Sequence, residues 1–200
     1  MSVKRRRRGV ELFADVYAAT RDILNKEGLS SVTFEKVANR AATSKSVLYR
    51  YWDTPFSLSL LAIQDKIQQE NHGSLDDTQL TGNSLEEDLL QLAHRFLQTM
   101  NSFGRPVMGS WFDGITHEQS EQMDEIISNI LDIDSHAVDR VLKRAVNRGE
   151  LKQGKLPHDI QFLLFDWLRY QAFMEQSVDE ERLNNLVTNI LVPAYKHVLG

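Results

Sequence analysis

Apolar residues recur every three or four positions along almost the whole of this 200-residue chain. That period puts them on one face of an α-helix, whereas a half-buried strand needs alternation by two. No stretch alternates in that way, and nothing repeats at the 20–50-residue period of a solenoid. With 10 Gly and 4 Pro, the chain also lacks the turn residues of a loop-rich β fold. The spacing predicts an all-α protein.

Local signals set the boundaries. Residues 10–27 carry Leu12, Phe13, Val16, Ala19, Ile23 and Leu24 on one face, and Gly28 supplies a left-handed stop. Thr33 is placed to N-cap a second short helix with Phe34, Val37, Ala38 and Ala41 inward. After a tight turn, Thr43 or Ser44 caps a third, with Val47 or Leu48 and Trp52 pointing in. Pro55 suits the first turn of a fourth helix, which reaches about Asn71 on Phe56, Leu60, Ile63 and Ile67. Residues 72–83 are polar and read as the main loop. Ser84 with Glu87, and Thr116 with Gln119, make capping-box patterns, and Gly104, Pro106, Gly109 and Gly114 leave room only for a short helix between them. A long helical stretch on Met123 to Ala145 ends at Gly149. Pro157 opens the next helix, and Ser177 with Glu180 caps the last.

Several function classes drop out. Cysteine is absent, so there is no disulfide framework, thiolate nucleophile or thiolate metal site. The six histidines are scattered, with no H-E-x-x-H, and there is no glycine-rich phosphate loop and no G-x-S-x-G. No catalytic residue, metal ligand or cofactor site is expected. No apolar run approaches the roughly 18 residues of a membrane span. Glu11, Asp15 and Asp22 follow the basic run Lys4–Arg8, which rules out a signal peptide there.

Charge is uneven along the chain. Residues 1–55 hold 11 Lys/Arg against 6 Asp/Glu, and residues 56–200 hold 12 against 22. The basic run at 4–8 accounts for the whole excess in the first part, so the placement of charge matters more than its sum. Residues 33–52, TFEKVANRAATSKSVLYRYW, place a short helix nearly free of acid after a turn. It presents Lys45, Ser46, Tyr49, Arg50 and Tyr51, the donors and aromatic groups that a major-groove reader needs.

Residues 10–63 resemble the DNA-binding domain of the TetR/AcrR-type (tetracycline-repressor-like) transcription regulators. The resemblance is carried by ILNKEGLSSVTFEKVANRA followed, after the turn, by SKSVLYRYW. Residues 141–176 are similar to a frequent C-terminal segment of that family. The resemblance implies a three-helix helix-turn-helix head over residues 1–54. A linking helix would join it to a ligand-binding and dimerisation bundle over residues 55–200, about nine helices in all. It also implies a bacterial, cytoplasmic, non-enzymatic regulator, associated with the nucleoid when bound, with no membrane partner. The expected partners are a palindromic double-stranded operator, a second copy of the chain and a small apolar or amphipathic effector. The commonest role is repression; the alternative is a helical small-molecule binding module that no longer reads DNA.

Roles within the head follow from the motif. Ser44, Lys45 and Ser46 open the reader helix and face bases, and Val47 either meets a thymine methyl or packs inward. Tyr49 and Tyr51 donate to phosphates by resemblance, and Arg50 reaches a phosphate or a guanine edge. Thr33 resembles the family's phosphate-binding threonine. Arg5, Arg6, Arg7 and Arg8 form an arm that enters the minor groove or attracts phosphate generically. The chain departs from the family twice. Ala42-Thr43 stands where Gly-Val is usual, and Pro55 stands where a phosphate-contacting lysine is common. The second departure predicts a gentler salt dependence.

In the bundle, His94, Phe96, Met100, Phe103, Met108, Trp111, Phe112, Met123, Trp167 and Tyr170 are the candidate effector-pocket residues. Residues 160–174 are apolar on nearly every face and the last helix carries a near-heptad stripe, which calls for cover from a second subunit. Phe162, Phe165, Leu183, Leu186, Ile190 and Tyr195 are the expected interface.

Overall fold

The structure, a computed structural model, describes residues 2–70, 74–101, 121–174 and 177–200. Among them every regular element is a helix or a helical turn. The elements are α1 (Ser2–Glu27), α2 (Phe34–Arg40), α3 (Lys45–Leu48), α4 (Pro55–Glu70), α5 (Leu85–Asn101), α6 (Glu121–Asn147), α7 (His158–Phe173), α8 (Glu180–Leu186) and α9 (Val192–Leu199). The expected all-helical class is therefore observed. No described helix is long and apolar enough to cross a membrane.

The chain divides into two compact units. One comprises Met1–Glu70 with Pro106–Ile127, the other Asn71–Arg105 with Ser128–Gly200. In the first, α1 lies along α4 and against α2. Val16, Ile23, Val37, Leu48, Leu58 and Ala62 are fully buried between them. The left-handed stop after α1 is observed at Gly28, with φ 83°. At the other end α1 begins at Ser2, eight residues before the expected start. The basic run at 4–8 lies within α1, while its side chains lie outside the described residues.

The second unit is built on one apolar cluster. Leu85, Leu89 and Leu92 of α5 meet Val138, Val141 and Leu142 of α6, Leu164, Phe165 and Leu168 of α7, and Leu186, Leu191 and Tyr195 of the last helical stretch. That stretch is not one α-helix. A π turn over Val187–Leu191 separates α8 from α9, and Pro193, which cannot donate an N–H, lies in the first turn of α9.

Two caps differ from expectation. Ser84 Oγ accepts from the Glu87 N–H at 3.1 Å, but the Glu87 carboxylate reaches back to the Asn83 N–H at 2.7 Å, one residue before the cap. The last helix is capped by Asp179, which accepts from the Arg182 N–H at 2.9 Å. Ser177 stands two residues before this cap, and its carbonyl takes the Arg182 guanidinium at 2.6 Å. The Thr116–Gln119 pattern lies outside the described residues.

Charges are also buried in this unit. Asp88 is fully buried, and its Oδ2 takes Arg144 Nε at 2.8 Å and Arg148 Nη1 at 2.9 Å. Arg144 also donates to the Gly82 carbonyl at 2.6 Å, and Glu150 joins Arg148 at 2.5 Å and the Leu85 N–H at 2.8 Å. A Cβ on Gly82 would lie 2.7 Å from Asp88 Oδ1, so only glycine lets the loop pass this close. Asp134 of α6, 2% exposed, pairs with Arg169 of α7. Burial pushes its carboxyl up to about 6 despite that pairing.

Candidate nucleic-acid interface

The head builds its exposed face from short elements held by an aromatic cluster around the buried Trp52. Trp52 is 1% exposed and packs against Phe13 at 5.0 Å, Tyr17 at 5.9 Å and Tyr51 at 5.7 Å between ring centroids. Burial raises the Tyr17 phenol above its usual pKa, against a hydrogen bond from the Trp52 indole. Below this cluster, Thr33 caps α2 as the sequence predicts, its Oγ1 accepting from the Lys36 N–H at 3.2 Å.

The turn between α2 and α3 is closed by the Thr43 N–H donating to the Ala38 carbonyl at 2.9 Å and the Ala41 N–H to Val37 at 2.8 Å. This double closure requires a left-handed residue, and Ala42 supplies it at φ 49°. The left-handed turn is made with a Cβ in place, at a cost of about 1 kcal/mol. Ala42→Gly is expected to raise unfolding free energy by about 0.5–1 kcal/mol in urea denaturation, without altering the turn. A destabilised variant would show that the Ala42 methyl contributes packing that outweighs its strain.

Ser44 N-caps α3 through its backbone alone; its hydroxyl lies 2.9 Å from that of Ser46. Helical hydrogen bonds continue past Leu48, with Tyr49 N–H to Lys45, Arg50 to Val47 and Tyr51 to Leu48. The reader segment is thus one α turn tightened at its end. Leu48 and Trp52 point into the core, Val47 is half-buried, and Thr33, Ser44, Lys45, Ser46, Tyr49, Arg50 and Tyr51 are exposed. Tyr49, 64% exposed, rests edge-on against Phe34 at 4.6 Å. The Arg50 guanidinium lies over the Tyr51 ring at 4.8 Å and donates to its hydroxyl at 3.1 Å. Lys45 pairs loosely with Glu35 at 3.4 Å. Exposed pairs of this kind are worth about 0–1 kcal/mol, so a phosphate or base can displace them.

Beyond the reader, Thr54 and Ser57 cap α4 reciprocally. The Ser57 N–H donates to Thr54 Oγ1 at 3.0 Å, and the Thr54 N–H to Ser57 Oγ at 3.3 Å. Pro55 occupies the first helical position, as expected. One contributor was not foreseen from the sequence. Gln122, at the start of α6, accepts from the Asp53 N–H at 3.0 Å, lies 2.7 Å from Ser57 Oγ, and donates to the Tyr51 carbonyl at 3.1 Å.

Six of the ten candidate pocket residues, His94, Phe96, Met100, Met123, Trp167 and Tyr170, lie among the described residues. Phe103, Met108, Trp111 and Phe112 lie outside the described residues. Phe96 packs on Phe165 at 5.2 Å in the second unit's core, with Met100 partly buried against the same core. Met123 is buried in the first unit. His94 faces outward and pairs with Glu180 at 2.9 Å, because its position on α5 falls off the apolar stripe. Tyr170 is 57% exposed, and Trp167 is half-buried under the Arg182 guanidinium at 5.6 Å. A groove along α5 is lined by His94 together with Thr78, Leu90, Gln91 and Gln98, so polar side chains and apolar surface both face it.

The expected interface residues also divide. Phe162, Phe165, Leu183, Leu186 and Tyr195 are 0–6% exposed within the chain's own core, and only Ile190 is on the surface. The apolar residues left exposed on α7 and just beyond it are Leu163, Tyr170 and Met174. Among the described residues no group of acidic, histidine or cysteine side chains is arranged to hold a metal.

Comparisons with known proteins agree with this geometry. Residues 16–54 match the family model described as bacterial regulatory proteins, tetR family, and residues 80–190 match the tetracyclin repressor-like C-terminal domain. Uncharacterised HTH-type transcriptional regulators of Mycobacterium bovis and Mycobacterium tuberculosis are similar at 21% identity over 188 residues, covering 93% of this chain and 89% of theirs. Among solved structures, the TetR family transcription regulator SCO0332 is similar with TM-score 0.62 and 22% identity, over 90% of this chain and 97% of that one. FadR from Bacillus subtilis, in complex with stearoyl-CoA, is similar in fold with TM-score 0.55 and 13% identity, over 94% of this chain and 100% of that one. The second of the two family models spans more than half the chain, and the chain belongs to the TetR family of bacterial helix-turn-helix transcription regulators, a class of DNA-binding proteins and not of enzymes.

Proposed function

We propose that the chain is a repressor that binds a palindromic operator as a homodimer and is released by a small apolar or amphipathic effector. The observation that carries the DNA-reading part is the exposure of Lys45, Ser46, Tyr49, Arg50 and Tyr51 on one short helix whose other face is locked by Leu48 and Trp52. Two such heads would enter successive major grooves roughly 34–36 Å apart. Thr33 and Tyr49 are read as phosphate contacts, Lys45 and Ser46 as base contacts, and Arg50 as either.

A second copy of the chain supplies the natural cover for Leu163, Tyr170 and Met174, which follow one another at helical spacing, with Ile190 nearby in sequence to the last helix. For the effector, the FadR fold accommodates stearoyl-CoA in the protein solved with it, and the largely aliphatic cluster of the second unit suits a ligand with an apolar part.

The test is selection of DNA from a random pool by the full-length protein, followed by titration. Arg50→Ala and Tyr49→Ala are each expected to weaken binding to the selected sequence about tenfold, within the range for a lost base or phosphate contact. If neither does, the reader helix is misassigned. If the wild type enriches no sequence, the protein is a binding module without specific DNA reading.

A further inference from the structure

We propose that Gln122 is a positioning residue for DNA reading, whose side-chain amide fixes the end of the reader segment to the start of α4. The proposal rests on the reading of α3 as the DNA-contacting helix and adds how that helix is held.

The end of a helix leaves carbonyls with no partner inside the helix, and the start of the next leaves free N–H groups. Here the two ends are separated by only a few residues, and one side chain serves both. Gln122 Nε2 donates to the Tyr51 carbonyl at 3.1 Å, while Oε1 accepts from the Asp53 N–H at 3.0 Å. The same oxygen lies 2.7 Å from Ser57 Oγ, whose single proton is shared with the Thr54 carbonyl at 3.0 Å. An amide is the side-chain group that offers a donor and an acceptor side by side without charge. A glutamine in the first turn of a helix commonly reaches back to its own backbone. Gln122 instead reaches groups 65 to 71 positions away in sequence.

The segment it holds carries Tyr49, Arg50 and Tyr51. α3 itself is a four-residue helix, too short to keep its own shape unaided. Among the described residues, Tyr49 is exposed and leans on the buried Phe34, and Arg50 lies over the exposed Tyr51 ring. A latch on the backbone just after them keeps the reading groups in one orientation before DNA arrives, so less ordering is left to do on binding. The latch touches no DNA itself. Its loss should therefore reduce discrimination between sequences more than general attraction to phosphate.

The experiment uses the full-length chain with two readouts. The first is hydrogen exchange of the Asp53 amide, on an exposed residue, in the wild type and in Gln122→Met, which keeps length and removes all three hydrogen bonds, to Tyr51, Asp53 and Ser57. We expect protection in the wild type and exchange at least tenfold faster in the variant. The second is affinity for the DNA selected from a random pool and for an unrelated duplex. We expect Gln122→Met to bind the selected DNA about tenfold more weakly and the unrelated duplex within twofold of wild type. Unprotected Asp53 in the wild type overturns the proposal without any variant. So does unchanged affinity for the selected DNA, or equal loss on both duplexes with a lowered melting temperature. If the wild type selects no DNA, the reader assignment itself fails, and the exchange measurement still decides whether the latch exists.

Discussion

Trp52→Ala is expected to lower the unfolding free energy of the protein by about 3–5 kcal/mol, the usual cost of removing a fully buried large aromatic. Its ring has 1% exposure and touches Phe13, Tyr17 and Tyr51, so the cavity would open between α1 and the reader segment. Collapse is restricted, because the neighbours are themselves rigid rings that cannot flex into the space as Met or Leu would. Trp52→Phe retains most of the volume and should lose about 1–2 kcal/mol. Urea denaturation followed by circular dichroism measures both. Tyr51 leans on the lost indole, so sequence-specific DNA binding should fail in the alanine variant at temperatures where the helical signal persists. A loss below 1 kcal/mol would mean that the aromatic cluster does not organise the head.

The second large effect lies in the other unit. Asp88→Ala should cost about 3 kcal/mol, because it leaves Arg144 and Arg148 facing each other without the carboxylate that both grip. Both arginines keep partial access to solvent, at 37% and 24% side-chain exposure, which holds the penalty at the lower end for a broken buried pair. At about 2–4 °C per kcal/mol for a chain of this size, the melting temperature should fall by roughly 6–12 °C. Arg144→Ala removes one of two partners and should cost less. Calorimetry on the two variants and their double mutant separates the pair energies. Near-equal losses would show that Arg144, rather than Asp88, anchors the Gly82 loop.

The helix-turn-helix was legible because its determinants are local. Thr33 caps a group three residues away, Gly28 stops α1 at its own position, and Leu48 with Trp52 mark one face within a single turn. The departure at Ala42 was also legible as a place of strain, and the left-handed φ of 49° is where the cost falls. Gln122 was not legible. Its partners are 65 to 71 residues away, and a glutamine near a helix start reads as an ordinary surface residue. Asp179 was missed as a cap because the Ser177–Glu180 spacing fits a capping box without showing where the helix begins. The burial of most of the expected interface residues within the chain was not legible for a different reason. Breadth of an apolar stripe does not say which part of it the chain covers with its own helices, and Phe162, Leu183 and Tyr195 proved to be covered.

That last stripe has a rhythm of its own. Leu183, Val187, Leu191, Tyr195 and Leu199 are all buried, each four residues after the one before. On a uniform α-helix of 3.6 residues per turn, steps of four drift by about 40° each, or about 160° over the whole series. Tyr195 and Leu199 would then have rotated well away from the side that Leu183 faces. The π turn over Val187–Leu191 widens the winding in the middle of the series and takes back part of that rotation. The beat of four thus suits a helix with one loose coil, and the two ends of the last segment are brought nearer in phase because the winding between them is not uniform.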